Sequence, residues 1–222
     1  MPFYGADNDL GICFQNSHGT VGDIANSAQT IAIMTENISA KRPLITQENM
    51  RGVYEEGASY LGLNEVSGEI EMEAEPLSIG YMLKSFFGST FSLTASDSIA
   101  RHEWRVQSAP FDTNVSFKQP VTFAKTISTG LDVNFFNLVA NTLEFSVSNG
   151  ELLKMKTGFI GGRDDAAAVG YTAAYPSNNT LFTWDACSFS VGSMGYMEYI
   201  KDITITCEDP VEAQYYLDSD AG

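Results

Sequence analysis

Basic residues are scarce in this chain of 222 residues. Its 12 lysines and arginines face 28 aspartates and glutamates, which gives a net charge of −16. Proteins that hold nucleic acid tightly neutralise its phosphates with cations. The charge therefore disfavours a protein that grips nucleic acid in this way, although it does not disfavour a surface that a polyanion passes without binding.

Long apolar runs are also missing. No run approaches the roughly 20 residues that cross a bilayer, and the start, MPFYGADNDL, lacks the basic and apolar regions of a signal peptide. The sequence therefore predicts a protein without a membrane segment that is made and kept in a cytoplasm.

Cysteine and histidine are too few for the usual metal and nucleophile chemistry. Cys13, Cys187 and Cys207 show no CxxC spacing, and His18 and His102 lack metal-ligand spacing. Neither a phosphate loop, a dinucleotide-binding glycine pattern nor a G-x-S-x-G elbow occurs. We expect no metal, no cofactor and no catalytic residue, with the cysteines as small core residues.

Carboxylates, in contrast, are abundant. Their number does not exclude a catalytic pair of carboxylates like that of a glycosidase. Arg163-Asp164-Asp165 in a glycine-rich stretch likewise does not exclude a calcium-binding site. Because no spacing singles out a pair, neither reading is favoured.

Strand patterns dominate the chain. Apolar and polar residues alternate over residues 101–107, 141–148 and 203–207. Asn149-Gly150 follows the second of these runs and predicts a β-hairpin turn of type I′, so residues 151–160 should pair back antiparallel. A mainly β fold follows, a sandwich or barrel.

One segment has a helical period instead. Pro76 begins it, Gly88 follows it, and its apolar residues are Ile79, Met82, Leu83, Phe86 and Phe87. We predict one short flanking helix over residues 76–87.

The remaining segments are less regular. Residues 1–65 suggest an N-terminal arm and a long loop with one strand near residues 30–36, and residues 161–179 suggest loops. No linker divides the chain, so residues 1–222 are read as a single domain.

Residues 69–75 carry the most informative pattern. Glu69, Glu71, Glu73 and Glu75 alternate with Ile70, Met72 and Ala74, so a strand would place four carboxylates on one face. Such a face is either an ordinary solvated surface or the wall of a water-filled anionic channel.

Several short motifs in order resemble the major tail tube proteins of long-tailed bacteriophages. They are His18-Gly19-Thr20-Val21-Gly22, Met50-Arg51-Gly52, residues 67–76 leading into the helix and Phe86-Phe87-Gly88-Ser89, Arg101-His102-Glu103-Trp104, Leu181-Phe182-Thr183-Trp184, and Ile203-Thr204-Ile205-Thr206 with Val211-Glu212-Ala213. Cys207 stands where that family often has asparagine.

The resemblance implies a structural, non-enzymatic subunit of the virion tail, assembled in the host bacterial cytoplasm. Its fold would be a β-sandwich or barrel with a flanking helix, forming hexameric rings that stack into a hollow tube for the genome. The implied partners are other copies, a tape measure protein, terminator and baseplate or tip proteins, and DNA passing without sequence-specific binding. Glu69, Glu71, Glu73 and Glu75 would then line the lumen, and the hairpin turned by Asn149 and Gly150 would contribute to an inter-subunit sheet.

Other classes of protein are also compatible with the sequence. A β-sandwich adhesin or carbohydrate-binding module would be a monomer with exposed aromatic residues on one sheet, and a hydrolase would depend on one acidic pair. A contractile tail or secretion tube would share the fold and add a sheath partner.

Overall fold

The computed structural model describes residues 8–15, 22–46, 59–88, 92–96, 99–103, 120–127, 132–165, 172–175, 180–188, 190–191, 194–195 and 200–209. Its first half contains β1 (Asn8–Phe14), α1 (Ile24–Ser27), β2 (Gln29–Ile31), β3 (Thr35–Glu36), β4 (Ser39–Lys41), β5 (Leu44–Thr46), β6 (Ser59–Leu61), β7 (Glu65–Glu73), α2 (Pro76–Phe87), β8 (Ser92–Ser96) and β9 (Ile99–Glu103). Its second half contains β10 (Val121–Ile127), β11 (Asp132–Ser148), β12 (Lys154–Gly161), β13 (Arg163–Asp165), β14 (Ser190–Val191), β15 (Met194–Gly195) and β16 (Asp202–Glu208).

The described fold is mainly antiparallel β, as expected. Its principal sheet has the order β2-β1-β10-β11-β12-β7-β3, with β13 and β16 also pairing with β11 and β4 pairing with β7. β2 and β3 lie at opposite ends of this order, yet only residues 32–34 separate them along the chain. Because each residue spans at most about 3.6 Å, the sheet must curve back on itself like a barrel.

The predicted strand at residues 30–36 is therefore wrong in one respect. It is two strands, β2 and β3, because the chain crosses from one edge of the sheet to the other at residues 32–34. The expectation of an irregular arm also missed β1, which lies between β2 and β10 with Leu10 and Ile12 buried. The short apolar run that follows Asn8 and Asp9 is the sequence pattern that indicates this buried strand.

The core fills the inside of the curved sheet. Its largest buried side chains come from six strands and one helix: Leu10, Ile12, Ile31, Ile70, Met72, Met82, Phe123, Leu138, Leu143, Met155 and Phe159. Phe123 and Phe159 meet edge to face with ring centroids 4.9 Å apart, a favoured aromatic geometry. The strands thus bury one face together.

The helix forms as the sequence predicts. α2 begins at Pro76, where the missing N–H costs nothing, and ends before Gly88, whose φ of 89° suits glycine. Met82 and Phe86 face the core, and the Oγ of Ser85 accepts a hydrogen bond from the N–H of Ala140 at 3.2 Å. α2 is therefore fixed to β11 by apolar packing and by this contact.

β11 is the longest strand and changes partners along its length. Residues 132–138 pair with β10 and residues 142–148 pair with β16, while β13 and β12 lie along its other edge. Near the change of partner, Asn137 has a φ of 60°. The Gln15 carboxamide accepts a hydrogen bond from the Asn137 N–H (2.8 Å) and donates one to its Oδ1 (3.1 Å). These bonds support an unusual backbone conformation that asparagine tolerates better than most residues.

A buried ion pair crosses the inside of the curved sheet. Lys125 of β10 lies in register with buried Leu10, and Glu36 of β3 lies in register with buried Ile70, so both side chains project inward. Lys125 Nζ contacts Glu36 Oε1, with side chains only 16% and 8% exposed. The pair therefore joins two strands that are distant in the order of the sheet.

We expect Lys125→Met to destabilise the subunit by about 3–5 kcal/mol, because it leaves the Glu36 carboxylate buried without its cation. Lys125→Met combined with Glu36→Leu should recover most of that loss, since no buried charge then remains. Urea unfolding of the three proteins measures both effects. A double variant as unstable as the single one would show that the pair contributes by packing alone.

Candidate functional site

The alternation over residues 69–74 is present as predicted. β7 buries Ile70, Met72 and the following Ala74, whereas Glu69 is exposed and Glu71 and Glu73 are partly exposed. Glu65 has the same parity and is also exposed, so four carboxylates share the solvent side of this strand.

Glu75 does not join them. It is only 3% exposed, it directly precedes α2, and its Oε1 accepts a hydrogen bond from the Ser78 hydroxyl at 2.5 Å. The strand has ended at Glu73, so the two-residue period no longer determines where position 75 points. Glu75 therefore belongs to the start of the helix, and its predicted place on an acidic face is wrong for this subunit.

The neighbouring strands extend the surface of β7 into a four-stranded charged face, β7-β12-β11-β16. Residues paired in register share one side of an antiparallel sheet, and two rows define the face: Glu71, Lys156, Glu144 and Thr206 form one, and Glu73, Lys154, Ser146 and Thr204 form the next. The charged side chains of this face are Glu65, Glu69, Glu71, Glu73, Glu144, Lys154, Lys156, Asp202 and Glu208. Acidic groups outnumber basic ones, so the face is anionic.

Two lysines on this face were not anticipated from the sequence. Lys156 Nζ lies 2.9 Å from Glu69 Oε2, and Lys154 Nζ lies 3.7 Å from Glu151 Oε2. The hydrogen bond to Glu69 raises the pKa of Lys156, and the charges of Glu69, Glu144 and Glu71 add to the shift. The alternation K-x-K at 154–156 was the available signal, but only the register shows which carboxylates lie beside these lysines.

A shallow depression crosses the same face where Gly158, in register with Glu69, presents no side chain. Asn37, Ser39, Lys41 and Thr142 are among the residues that line it. The lining is polar, and neither a histidine nor a cysteine belongs to it. The groups around this depression therefore do not resemble a nucleophile with its base.

The hairpin at Asn149-Gly150 is present, but its turn differs from the predicted type. The Ser148 carbonyl accepts a hydrogen bond from the Glu151 N–H at 3.0 Å, and only Gly150 has a positive φ, 80°. A type I′ turn requires positive φ at both central positions, whereas type II requires it only at the second. The turn therefore has type II character, and β12 begins at Lys154 rather than at residue 151.

We expect Gly150→Val to destabilise the hairpin and lower the yield of any assembly, because a β-branched residue resists positive φ. Gly150→Asn is the matched control, since asparagine tolerates that region and no atom lies within 4 Å of a Cβ placed there. Thermal unfolding of both variants tests the turn. Equal stability of the valine variant and the wild type would contradict it.

The main-chain edges of the hairpin strands are occupied inside the subunit. β12 lies between β7 and β11, and the C-terminal half of β11 lies between β12 and β16. The hairpin strands can therefore take part in an inter-subunit sheet only as internal strands. They have no open edge with which to pair directly with another copy.

An open edge lies instead at β16, which pairs with β11 alone among the strands that the structure describes. The Asp209 N–H bonds to the Asn141 carbonyl (2.9 Å), and the Lys201 carbonyl accepts from the Asn149 N–H (2.8 Å). Main-chain groups alternate between the two edges of an antiparallel strand. Positions 202, 204, 206 and 208 therefore direct their N–H and C=O groups away from β11.

Other sequence motifs also lie in the described residues. The motif Leu181–Trp184 does not begin a regular strand, because Trp184–Ala186 forms a 3-10 turn and Thr183 makes only an isolated bridge to Leu152. The final strand is present as β16. His102 lies in β9, which spans Ile99–Glu103, while Trp104, His18 and residues 50–52 lie outside the described residues.

The described part of the chain contains a buried cysteine with a raised pKa and no cluster of metal-ligand side chains. Burial, followed by the charge of Asp23, raises the pKa of Cys13 to about 11, so this thiol stays protonated at neutral pH. Within the described ranges, no group of three or more histidine, cysteine, aspartate or glutamate residues is arranged to hold a metal ion. Asp9 accepts a hydrogen bond from the Tyr175 hydroxyl at 2.7 Å.

These features define a mainly antiparallel β protein that carries a broad anionic sheet face beside a strand edge that is open among the described strands. The family model of the phage tail tube protein matches residues 5–222, so the chain belongs to that family. Its members are structural components of the virion tail. No curated protein matches the chain significantly. In the described part of the chain, no helix is long and apolar enough to cross a membrane.

Proposed function

We propose that copies of this chain form hexameric rings that stack into a hollow tube, and that phage DNA passes through this tube during ejection. The observation that carries the proposal is the open edge of β16 on a sheet whose outer face is anionic. An unpaired strand edge is a template for pairing with another chain. In a tail tube protein, that chain is another copy.

Ring closure requires contacts between unlike surfaces of identical subunits, and stacking extends the rings into a filament. The β16 edge offers one such surface. The small sheet of β5 and β6 offers another, because both strands are exposed along their length and carry Leu44, Ile45, Tyr60 and Leu61 at the surface. An isolated two-stranded sheet is marginally stable in water, so burial against a second copy would stabilise it.

The charged face supports the second half of the proposal. A cationic wall would bind phosphate by counterion release, whereas an anionic wall repels it. Glu69, Glu71 and Glu73 would line the lumen, and Glu75 would not. The subunit would act without a cofactor or a catalytic residue, and a tape measure protein, terminator and baseplate or tip proteins would be its partners during assembly in the host bacterial cytoplasm.

Electron microscopy and light scattering of the purified protein at rising concentration test the assembly. We expect rings or hollow tubes. Only monomers across the soluble range, with other tail components present, would contradict the proposal and favour a monomeric binding module.

A further inference from the structure

Lys156 occupies the middle of the charged face. It lies in register with Glu71 on one side and with Glu144 on the other, and its Nζ lies 2.9 Å from Glu69 Oε2. Its side chain is nevertheless 44% exposed. A cation at this place is therefore accessible to solvent and has three carboxylates around it.

The arrangement has a cost and a benefit. Opposite charges on neighbouring strands stabilise a sheet, whereas a wall of carboxylates alone would repel itself. A lysine on the wall of a DNA channel is also the group that a phosphate would contact. The benefit to the sheet therefore creates a place where DNA could adhere.

We propose that Glu69, Glu71 and Glu144 screen Lys156 from the phosphates of DNA. Glu69 occupies an N–H donor of Lys156, and the charges of all three carboxylates offset its charge, so this lysine is not available to a passing polyanion. This inference depends on the proposed function, because it assigns the charged face to the lumen. It adds that the glutamates act on a particular lysine as well as through the net charge.

The test uses an unscreened variant with Glu69→Gln, Glu71→Gln and Glu144→Gln. Its binding of short duplex DNA is compared with wild type by anisotropy for the isolated chain and by co-sedimentation for assembled protein. At about 50 mM salt we expect roughly tenfold more DNA bound, and this excess should fall steeply towards about 200 mM.

Two additional substitutions separate the screened lysine from net charge. Lys156→Gln in the unscreened variant should return DNA binding to the wild-type level. Lys201→Gln changes the net charge equally, but Lys201 precedes β16 and shares the register side of Ile203, opposite to the charged face. The Lys201 control should leave the excess binding unchanged.

The inference is overturned if the unscreened variant binds no more DNA than wild type, or if Lys201→Gln removes the excess as completely as Lys156→Gln. Failure of the wild type to form tubes would count against the proposed function instead. The isolated chain exposes the same face, so its anisotropy measurement would still decide whether the carboxylates screen Lys156.

Discussion

Thr204→Pro is expected to abolish ring and tube formation while leaving the subunit folded. Position 204 lies in the middle of β16, and its N–H points away from β11. Proline removes that donor from the outer edge only, and edge strands tolerate proline when the lost N–H faces solvent. If subunits join along β16, the variant should remain a monomer at concentrations at which wild type assembles.

Two control variants distinguish a loss of assembly from a loss of folding. Thr204→Val keeps the N–H and should assemble normally. Ile205→Pro removes an N–H that faces β11 and should destabilise the subunit itself. Circular dichroism and thermal unfolding report on folding, and electron microscopy reports on assembly. Normal tubes from Thr204→Pro would exclude β16 as the joining edge.

Lysine at positions 69, 71 and 73 is expected to make assembled protein retain DNA in a salt-dependent way and to slow genome ejection. The three substitutions reverse the charge of β7 and remove the carboxylates that lie beside Lys154 and Lys156 on that strand. Each additional phosphate contact steepens the logarithmic dependence of binding on salt by about 0.9. DNA co-sedimentation over a salt series measures that slope.

Glutamine at the same three positions is the matched control for folding. These side chains lie on a wet surface, so neutralising them should change stability little. The lysine variant should be less stable than the glutamine variant, because like charges then face each other across β7 and β12. A tube structure with these side chains on its outer wall would falsify the lumen assignment, even if the tube itself forms.

Local features of the fold could be predicted from the sequence. α2 was assigned with its observed bounds because a proline, a helical period and a glycine lie within thirteen residues of sequence. The turn at Gly150 was found for the same reason, since asparagine-glycine is a short-range signal. Its type was not, because the strands that extend from the turn also influence the backbone angles, and only Gly150 of the two central residues has a positive φ.

Features that depend on pairing could not be predicted in the same way. The sequence shows that Glu69, Glu71 and Glu73 share a face, because alternation is a property of one strand. It does not show that Lys156 lies between Glu71 and Glu144, because that depends on the register of three strands. The division of residues 30–36 into β2 and β3 likewise results from closure of the sheet.

The sequence by itself determined the mainly β class, the flanking helix, the hairpin position and one carboxylate face, all of which follow from periodicity and turn chemistry within short segments. Only the tertiary structure decided that Glu75 is buried against Ser78, that two lysines lie within the charged face, and that β16 has an open edge among the described strands. The physical reason is that burial, ion pairing and edge exposure depend on neighbours brought together by strand order and register, and these neighbours are distant in the chain.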